Sequence, residues 1–314
     1  MRRHTRPRSL EQHRADDRHQ FPHLVVQSLS VWAKPRGLPR PILTPLQTGL
    51  NLPTIDIFRP NCRKEPIMTD ERVFVGDLTR KEFRERIQAG TIKAAIVPTA
   101  ATEQHNEHLH MIHDTFHVSY MAEHAAKKLL PQVVVATPVG IGVSEHWMAH
   151  IGTLTVRPEI FCEYVFDVCN SLVRAGIENV LILNGHGGNV KPMMRRIDEY
   201  KDKLGINLRF QSYWDVYDPD FVQQHMENGR LPGHACEFET STMLYLAPER
   251  VQAEAIDNEV AALGTRAKGE ALVPPAVDGV ADLLEKMIAG ADIDLPTVTF
   301  YPEGKRNLVT GEPI

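Results

Sequence analysis

Cysteine is scarce in this chain of 314 residues. The four present, Cys62, Cys162, Cys169 and Cys236, lack zinc-finger spacing and are too few for a disulfide scaffold. A reduced, cytoplasmic setting is the expectation. No run approaches the about 18 apolar residues of a membrane span, so no membrane partner is expected. A dominant charge of one sign is also missing: the formal net charge is −5, which gives no reason to expect nucleic acid as partner. No internal repeat is visible. With 42% hydrophobic and 24% charged residues the chain resembles an average globular protein, which excludes a wholly disordered or collagen-like one. Histidine, by contrast, is abundant at 15 residues and invites a metal or acid–base reading.

The average hides a change in composition. Residues 1–67 hold 12 basic and 5 acidic residues, a net of +7, which leaves −12 for the remainder. They also hold 9 of the 22 prolines, a density that breaks helices and central strands. Asp16, Asp17 and Glu11 count against a transit peptide, and no apolar h-region supports a secretory signal. Met68 precedes the first well-patterned segment. Residues 1–67 are therefore expected to be a disordered or non-native N-terminal extension, and 68–314 the working domain.

From Val73 onward the pattern is α/β. Segments 92–97, 133–139 and 179–183 are short aliphatic runs suited to strands buried on both faces of a parallel sheet, and 208–213 is a fourth candidate. Helices are expected at 119–130, 158–175, 190–204, 237–246 and 280–288. Segments 297–301 and 304–307 would finish the fold or form a subunit contact. This alternation predicts a single-domain, three-layer α/β/α fold with a mostly parallel sheet, whose ligands lie beyond the carboxyl ends of the strands.

Three segments carry the chemistry. In the first, Glu103 to Asp114, Glu103 and His105 are two apart, so an extended backbone sends both to one side, and Asp114 can return through a loop. Mixed carboxylate and imidazole donors suit Zn, Mn or Fe rather than Ca or Mg; the alternative is a His-rich surface loop. The second, Asn184-Gly-His186-Gly-Gly-Asn189, is not a dinucleotide loop and leaves His186 room to face a ligand or merely to shape a turn. Asn189 could cap the next helix. The third, Gly233-His234-Ala-Cys236-Glu237-Phe-Glu239-Thr-Ser241, opens a helix, where a Glu such as Glu239 is favoured electrostatically whatever its role. Glu237 would cap or face solvent. Cys162 and Cys169 are expected in a core, and packing is also the expected role of Cys236. Trp147 and Trp214 would line a pocket or be buried.

In order, PTAATEQHNEHLHMIHD, NGHGGN and GHACEFETS resemble the three motifs of the creatininase (creatinine amidohydrolase) family. A weaker match, Ser144 to Leu154, resembles that family's S-E-H segment and is one residue longer. The resemblance covers about residues 73–250. It implies two divalent ions, zinc foremost with Mn or Fe as alternatives. Glu103, Asp114 and His186 would hold one and His105, Asp114 and Glu239 the other, with Asp114 bridging. A hydroxide bridging the ions would attack a carbonyl, and His234 would protonate the leaving nitrogen. Glu145 is the second catalytic candidate, and His146, Trp147 and His150 are candidates for substrate contact. A homo-oligomer, commonly a hexamer, is also implied.

The sequence departs from the family pattern in several places. Gly188 stands where creatininase itself has a Glu, Asn106-Glu107 replaces Gly-Pro, His110 and His113 replace Pro and Thr, and His150 replaces an apolar residue. Creatinine is therefore not the expected substrate. The family also includes a formamide hydrolase of flavin and deazaflavin biosynthesis and a peptidase that matures mycofactocin. The expected reaction is hydrolysis of an amide C–N bond in a cyclic amide or imide, or of a lactone, in a small, polar metabolite. The alternatives are a dinuclear-metal lyase or isomerase acting through an enolate, and a non-enzymatic metal-binding protein.

Overall fold

Three aliphatic runs and the segment near 208–213 become the central sheet. In the computed structural model, which describes residues 71–301 and 304–307, these are β1 (Ala94–Thr99), β2 (Val133–Val135), β3 (Asn179–Asn184) and β4 (Asn207–Ser212). All are parallel, in the order β2-β1-β3-β4. Every residue of β1 and β2 is buried, as is all of β3 after Asn179, which is why these strands read as continuous rather than alternating apolar runs. The stretch 1–67 lies outside the described residues.

The helices are α1 (Arg80–Gln88), α2 (His113–Lys128), α3 (Pro158–Arg174), α4 (Val190–Met194), α5 (Ile197–Leu204), α6 (Pro219–His225), α7 (Glu237–Leu246), α8 (Glu259–Ala262) and α9 (Arg266–Ile288). A short antiparallel pair, β5 (Val298–Tyr301) and β6 (Gly304–Asn307), follows. The β1–α2–β2 crossover steps one way along the sheet; the crossovers through α3 and then through α4 and α5 step the other way. Right-handed connections therefore place α2 on one face and α3, α4 and α5 on the opposite face. Packing agrees: α2 lies against α9, which also packs on α7, while α3 touches α4 and α5. This is the three-layer α/β/α arrangement. The direction of winding reverses between β1 and β3, whose last residues, Thr99 and Asn184, pair with each other. Loops leaving both strands at that switch point open a crevice.

Several boundaries differ from the sequence pattern for identifiable reasons. Helix α2 starts at His113, not 119, because His113, Asp114 and His117 are buried on its inner face and mask the apolar period there. The single helix expected over 190–204 is two, since the Arg196 N–H bonds to the Met193 carbonyl, tightening the turn before the chain restarts as α5. Helix α9 begins at Arg266, well before 280, and runs through Pro274 and Pro275. Leu272, Val273, Ala276 and Val277 are buried there, and that packing carries the helix through the missing donors. Cys162, Cys169 and Cys236 are buried free thiols, as expected. Among the described residues no helix is long and apolar enough to cross a membrane.

Helix α9 also fixes the position of α7. A Cβ on Gly269 would lie 2.1 Å from the Ser241 carbonyl oxygen and 2.8 Å from Tyr245 Cβ, so only glycine lets the two helix backbones meet. Gly269→Ala should therefore cost about 1–3 kcal/mol by overpacking, which lowers Tm by about 2–4 °C per kcal/mol. Gly76→Ala, with no heavy atom within 4 Å of its Cβ, serves as the control in thermal melts. Equal melting of Gly269→Ala and the parent chain would contradict this packing.

Candidate metal centre

Four chain segments meet at the switch point. The loop after β1 brings Glu103 and His105; the first turn of α2 brings His113 and Asp114; the loop after β3 brings His186; and the start of α7 brings Glu239. All six are buried. Asp114 lies at their middle. Its Oδ1 is 3.0 Å from His105 Nε2 and its Oδ2 is 3.0 Å from His186 Nδ1. Glu103 Oε1 stands 3.3 Å from His186 Nδ1, and Glu239 Oε2 stands 3.8 Å from His105 Nε2.

Backbone carbonyls decide which imidazole nitrogen faces the carboxylates. His105 Nδ1 donates to the Glu103 carbonyl at 3.1 Å, and His186 Nε2 donates to the Val143 carbonyl at 3.1 Å. Each ring thus presents its other nitrogen inward, the arrangement that orients a metal-binding histidine. The Ala235 N–H donates to Glu239 Oε2, aided by a left-handed Ala235 (φ 43°) that turns the chain back onto α7. The two asparagines of the second motif brace the loops. Asn184 holds both the His186 carbonyl and its N–H, while Asn189 joins Ala100 to Val143. Asn189 therefore bridges loops and makes no side-chain cap on α4. Gly188 is sterically required: a Cβ there would lie 2.1 Å from the Val143 carbonyl oxygen and 2.5 Å from His186 Nε2. A Glu at this position, as in creatininase itself, does not fit around this chain's His186.

A cavity of about 300 Å³ opens over the cluster, lined by Glu103, Asp114, His186 and Glu239 below and by His146, Trp147, Trp214 and His234 around it. Its lining includes no lysine or arginine. Trp147 stacks on His234 with ring centres 4.3 Å apart. His234 Nδ1 is 3.5 Å from Glu103 Oε1, and its Nε2 contacts the Gln104 amide nitrogen at 2.7 Å.

The structure does not bring the remaining candidates into the cavity. Glu145 is exposed and does not line it. It starts a 3-10 turn with His146 and Trp147, and side chains about 120° apart in such a turn put Glu145 outside when the other two face in. His150 is exposed, and its ring meets Trp147 edge-on. Glu107 and His110 are exposed as well, and Asn106 serves conformation, since its φ of 52° suits the glycine it replaces. Glu237 neither caps nor faces solvent: it is buried, paired with Lys268 at 2.6 Å, and accepts from the Glu227 and Asn228 N–H groups. Residues the sequence reading passed over are Gln104, which holds His234, and His113, which lies inside the cluster. Both lie within the first motif, and His113 also stands where the family pattern has threonine.

Charge is densely balanced here. Burial disfavours charge on His105, but the charge and hydrogen bond of Asp114, then Glu239, raise it to about 9. Burial likewise opposes His186, yet bonds to Asp114 and Glu103 raise it to about 10. Burial alone would push the Asp114 carboxyl up, but His105 and His186 hold it well below the usual carboxylate range. Burial pushes Glu239 up to about 7 despite His105, with Asp114 and Glu103 adding to the rise. The donor set suits a cation: Glu103 Oε2 and both ring nitrogens of His113 are buried without hydrogen-bond partners. Donor atoms of His105, His113, Asp114 and Glu239 lie within 4.8 Å of one another, and those of Glu103, His146 and His186 do likewise.

Because His105 and His186 carry protons at pH 7, a divalent ion must displace them. Zinc binding should release roughly two to three protons at that pH, counting part of one from Glu239. Apparent affinity should climb with pH until both histidines are neutral, near 9 to 10. Calorimetry in buffers of different ionisation enthalpy measures the count; binding without proton release would contradict these charge states.

Comparisons with known proteins agree with this geometry. Residues 76–282 match the model of the creatininase family, described as creatinine amidohydrolase. Creatinine amidohydrolase of Pseudomonas putida is 28% identical over 255 residues, covering 68% of this chain and 96% of that one. A 3-dehydro-scyllo-inosose hydrolase of Thermotoga maritima is 30% identical over 243 residues, covering 74% and 73%. A solved creatininase mutant of Zn–Zn type superposes with a TM-score of 0.62 at 27% identity, covering 69% of this chain and 98% of that one. A manganese form of creatininase gives 0.62 at 26%, covering 69% and 99%. With two thirds of its length matched and the motif residues gathered at one switch point, the chain belongs to the creatininase family of hydrolytic enzymes.

Proposed function

We propose that the chain hydrolyses a cyclic amide, imide or lactone of a small polar metabolite with two divalent metal ions. Glu103, Asp114 and His186 would hold one ion and His105, Asp114 and Glu239 the other. The observation that carries this reading is the Asp114 carboxylate, whose two oxygens face the two histidines at 3.0 Å each. Zinc is the expected ion and Mn or Fe the alternatives, in keeping with creatininases solved in Zn–Zn and Mn forms. When bound, such ions acidify a shared water and polarise the carbonyl it attacks.

The residues of the chain supply the rest. Trp147 offers a flat face to a ring, and the small cavity limits the substrate's size. With no lysine or arginine in its lining, the cavity suits an uncharged substrate with hydroxyl or carbonyl groups. The relatives named for creatinine and for 3-dehydro-scyllo-inosose both act on small rings. His234 projects Nδ1 toward Glu103 and is fixed by Gln104 and Trp147. Burial and His105 hold its ring down at about 4, so His234 is neutral between turnovers. Its Nε2 accepts from the Gln104 amide, so the neutral ring carries its proton on Nδ1, the nitrogen that faces the cavity, and would donate it toward the leaving atom. Glu145, which faces away, has no part in this scheme. Self-association is proposed through the segment after Trp147, where Met148, Ile151 and Leu154 are exposed. A setting in the cytoplasm is proposed with it.

Asp114→Ala should lose both bound ions and all turnover on a panel of small cyclic amides and lactones. Full turnover in chelator-treated, metal-free protein would refute the reading. His234→Ala should retain both ions and lose about 10²–10⁴ in kcat; an unchanged kcat would remove His234 from the proton path.

A further inference from the structure

His113 is the buried group that the five-residue ligand set leaves unused. It sits at the first position of α2, next to Asp114, where the family pattern has threonine. Its ring centre is 4.8 Å from that of His105, and its Nε2 is 3.7 Å from Glu239 Oε1. Neither ring nitrogen has a hydrogen-bond partner, although the residue is 1% exposed. A buried imidazole with both nitrogens unmatched is costly, and a cation taking the lone pair of one nitrogen would remove part of that cost.

The spacing suits zinc as that cation. Zinc sits about 2.0–2.1 Å from nitrogen and oxygen donors, so tetrahedral donors lie about 3.3–3.4 Å apart. Three separations lie near that value: 3.0 Å from His105 Nε2 to Asp114 Oδ1, 3.8 Å from His105 Nε2 to Glu239 Oε2 and 3.7 Å from His113 Nε2 to the other oxygen of Glu239, Oε1. One donor atom from each of these four residues falls in a single group within 4.8 Å.

Resting on the two-ion reading above, we propose that His113 is a fourth protein ligand of the ion beside Glu239. Four protein donors would give this ion a fuller protein shell than the three of its neighbour, so the shared water would be held chiefly by the other ion. The two positions are then unequal. The ion on His105, His113, Asp114 and Glu239 is the tighter and serves to fix Asp114. The ion on Glu103, Asp114 and His186 keeps the open positions and is the one that meets substrate. His117, one turn along α2, has the same unpartnered burial but packs on Tyr213 at 4.6 Å and lies outside the donor group, so it takes no ion.

The test is zinc titration of the full chain, with X-ray absorption at one equivalent. The unmodified chain should bind two zinc ions of different affinity, with two imidazoles on the first. His113→Ala, verified as folded by circular dichroism, should leave one imidazole there and weaken the tighter ion by at least about 10–100-fold. His117→Phe should bind both ions as the unmodified chain does. One imidazole at one equivalent overturns the proposal, and needs no variant to fold. Two ions bound with unchanged affinities by His113→Ala overturn it while leaving the two-ion reading intact. No zinc bound by the unmodified chain overturns both.

Discussion

Asp114 is a buried carboxylate held between two imidazoles, and its environment governs much of the surrounding structure. A buried charge is tolerated only when it is matched and its lone pairs are filled. Asp114 meets this in part, with a hydrogen bond from His105 on one oxygen and the His186 ring 3.0 Å from the other, which has no hydrogen-bond partner of its own. Those histidines can serve only if their rings are turned correctly, which the Glu103 and Val143 carbonyls ensure. Val143 in turn is held by Asn189, and Asn189 by Ala100 at the end of the β1 run. The chain of dependence therefore runs from one carboxylate outward to the sheet.

Sheet topology makes this convergence possible. Parallel strands send their carboxyl ends to one edge, and the change of direction between β1 and β3 parts their loops into a crevice. Helix α7 reaches the same crevice from a distant part of the chain, and Gly269 of α9 lets it seat closely enough for Glu239 to face His105. The cavity above inherits both characters: a floor of carboxylates and imidazoles, and walls of Trp147, Trp214 and His234.

Much of this was legible in the sequence because local patterns suffice for it. The buried strands show as aliphatic runs, and α7 follows its motif over the residues expected. The ligand candidates lie in compact motifs whose side chains the fold gathers within a few ångströms. What escaped depended on partners distant in sequence. The start of α2 was hidden by buried polar residues, and the first half of α9 by two prolines that packing overrides. Glu145 sits beside Trp147 in sequence, yet the direction of a 3-10 turn sends it outward, and His150, beyond that turn, is exposed as well. Glu237 looked like a cap because its partner Lys268 comes 31 residues later.

The central claim is that one carboxylate joins two metal positions. Anomalous diffraction from a zinc-loaded crystal at the zinc edge tests it most directly. Two peaks are expected, one in contact with each oxygen of Asp114, the first beside Glu103 and His186 and the second beside His105 and Glu239. A single peak, or two peaks of which either does not touch Asp114, would contradict it.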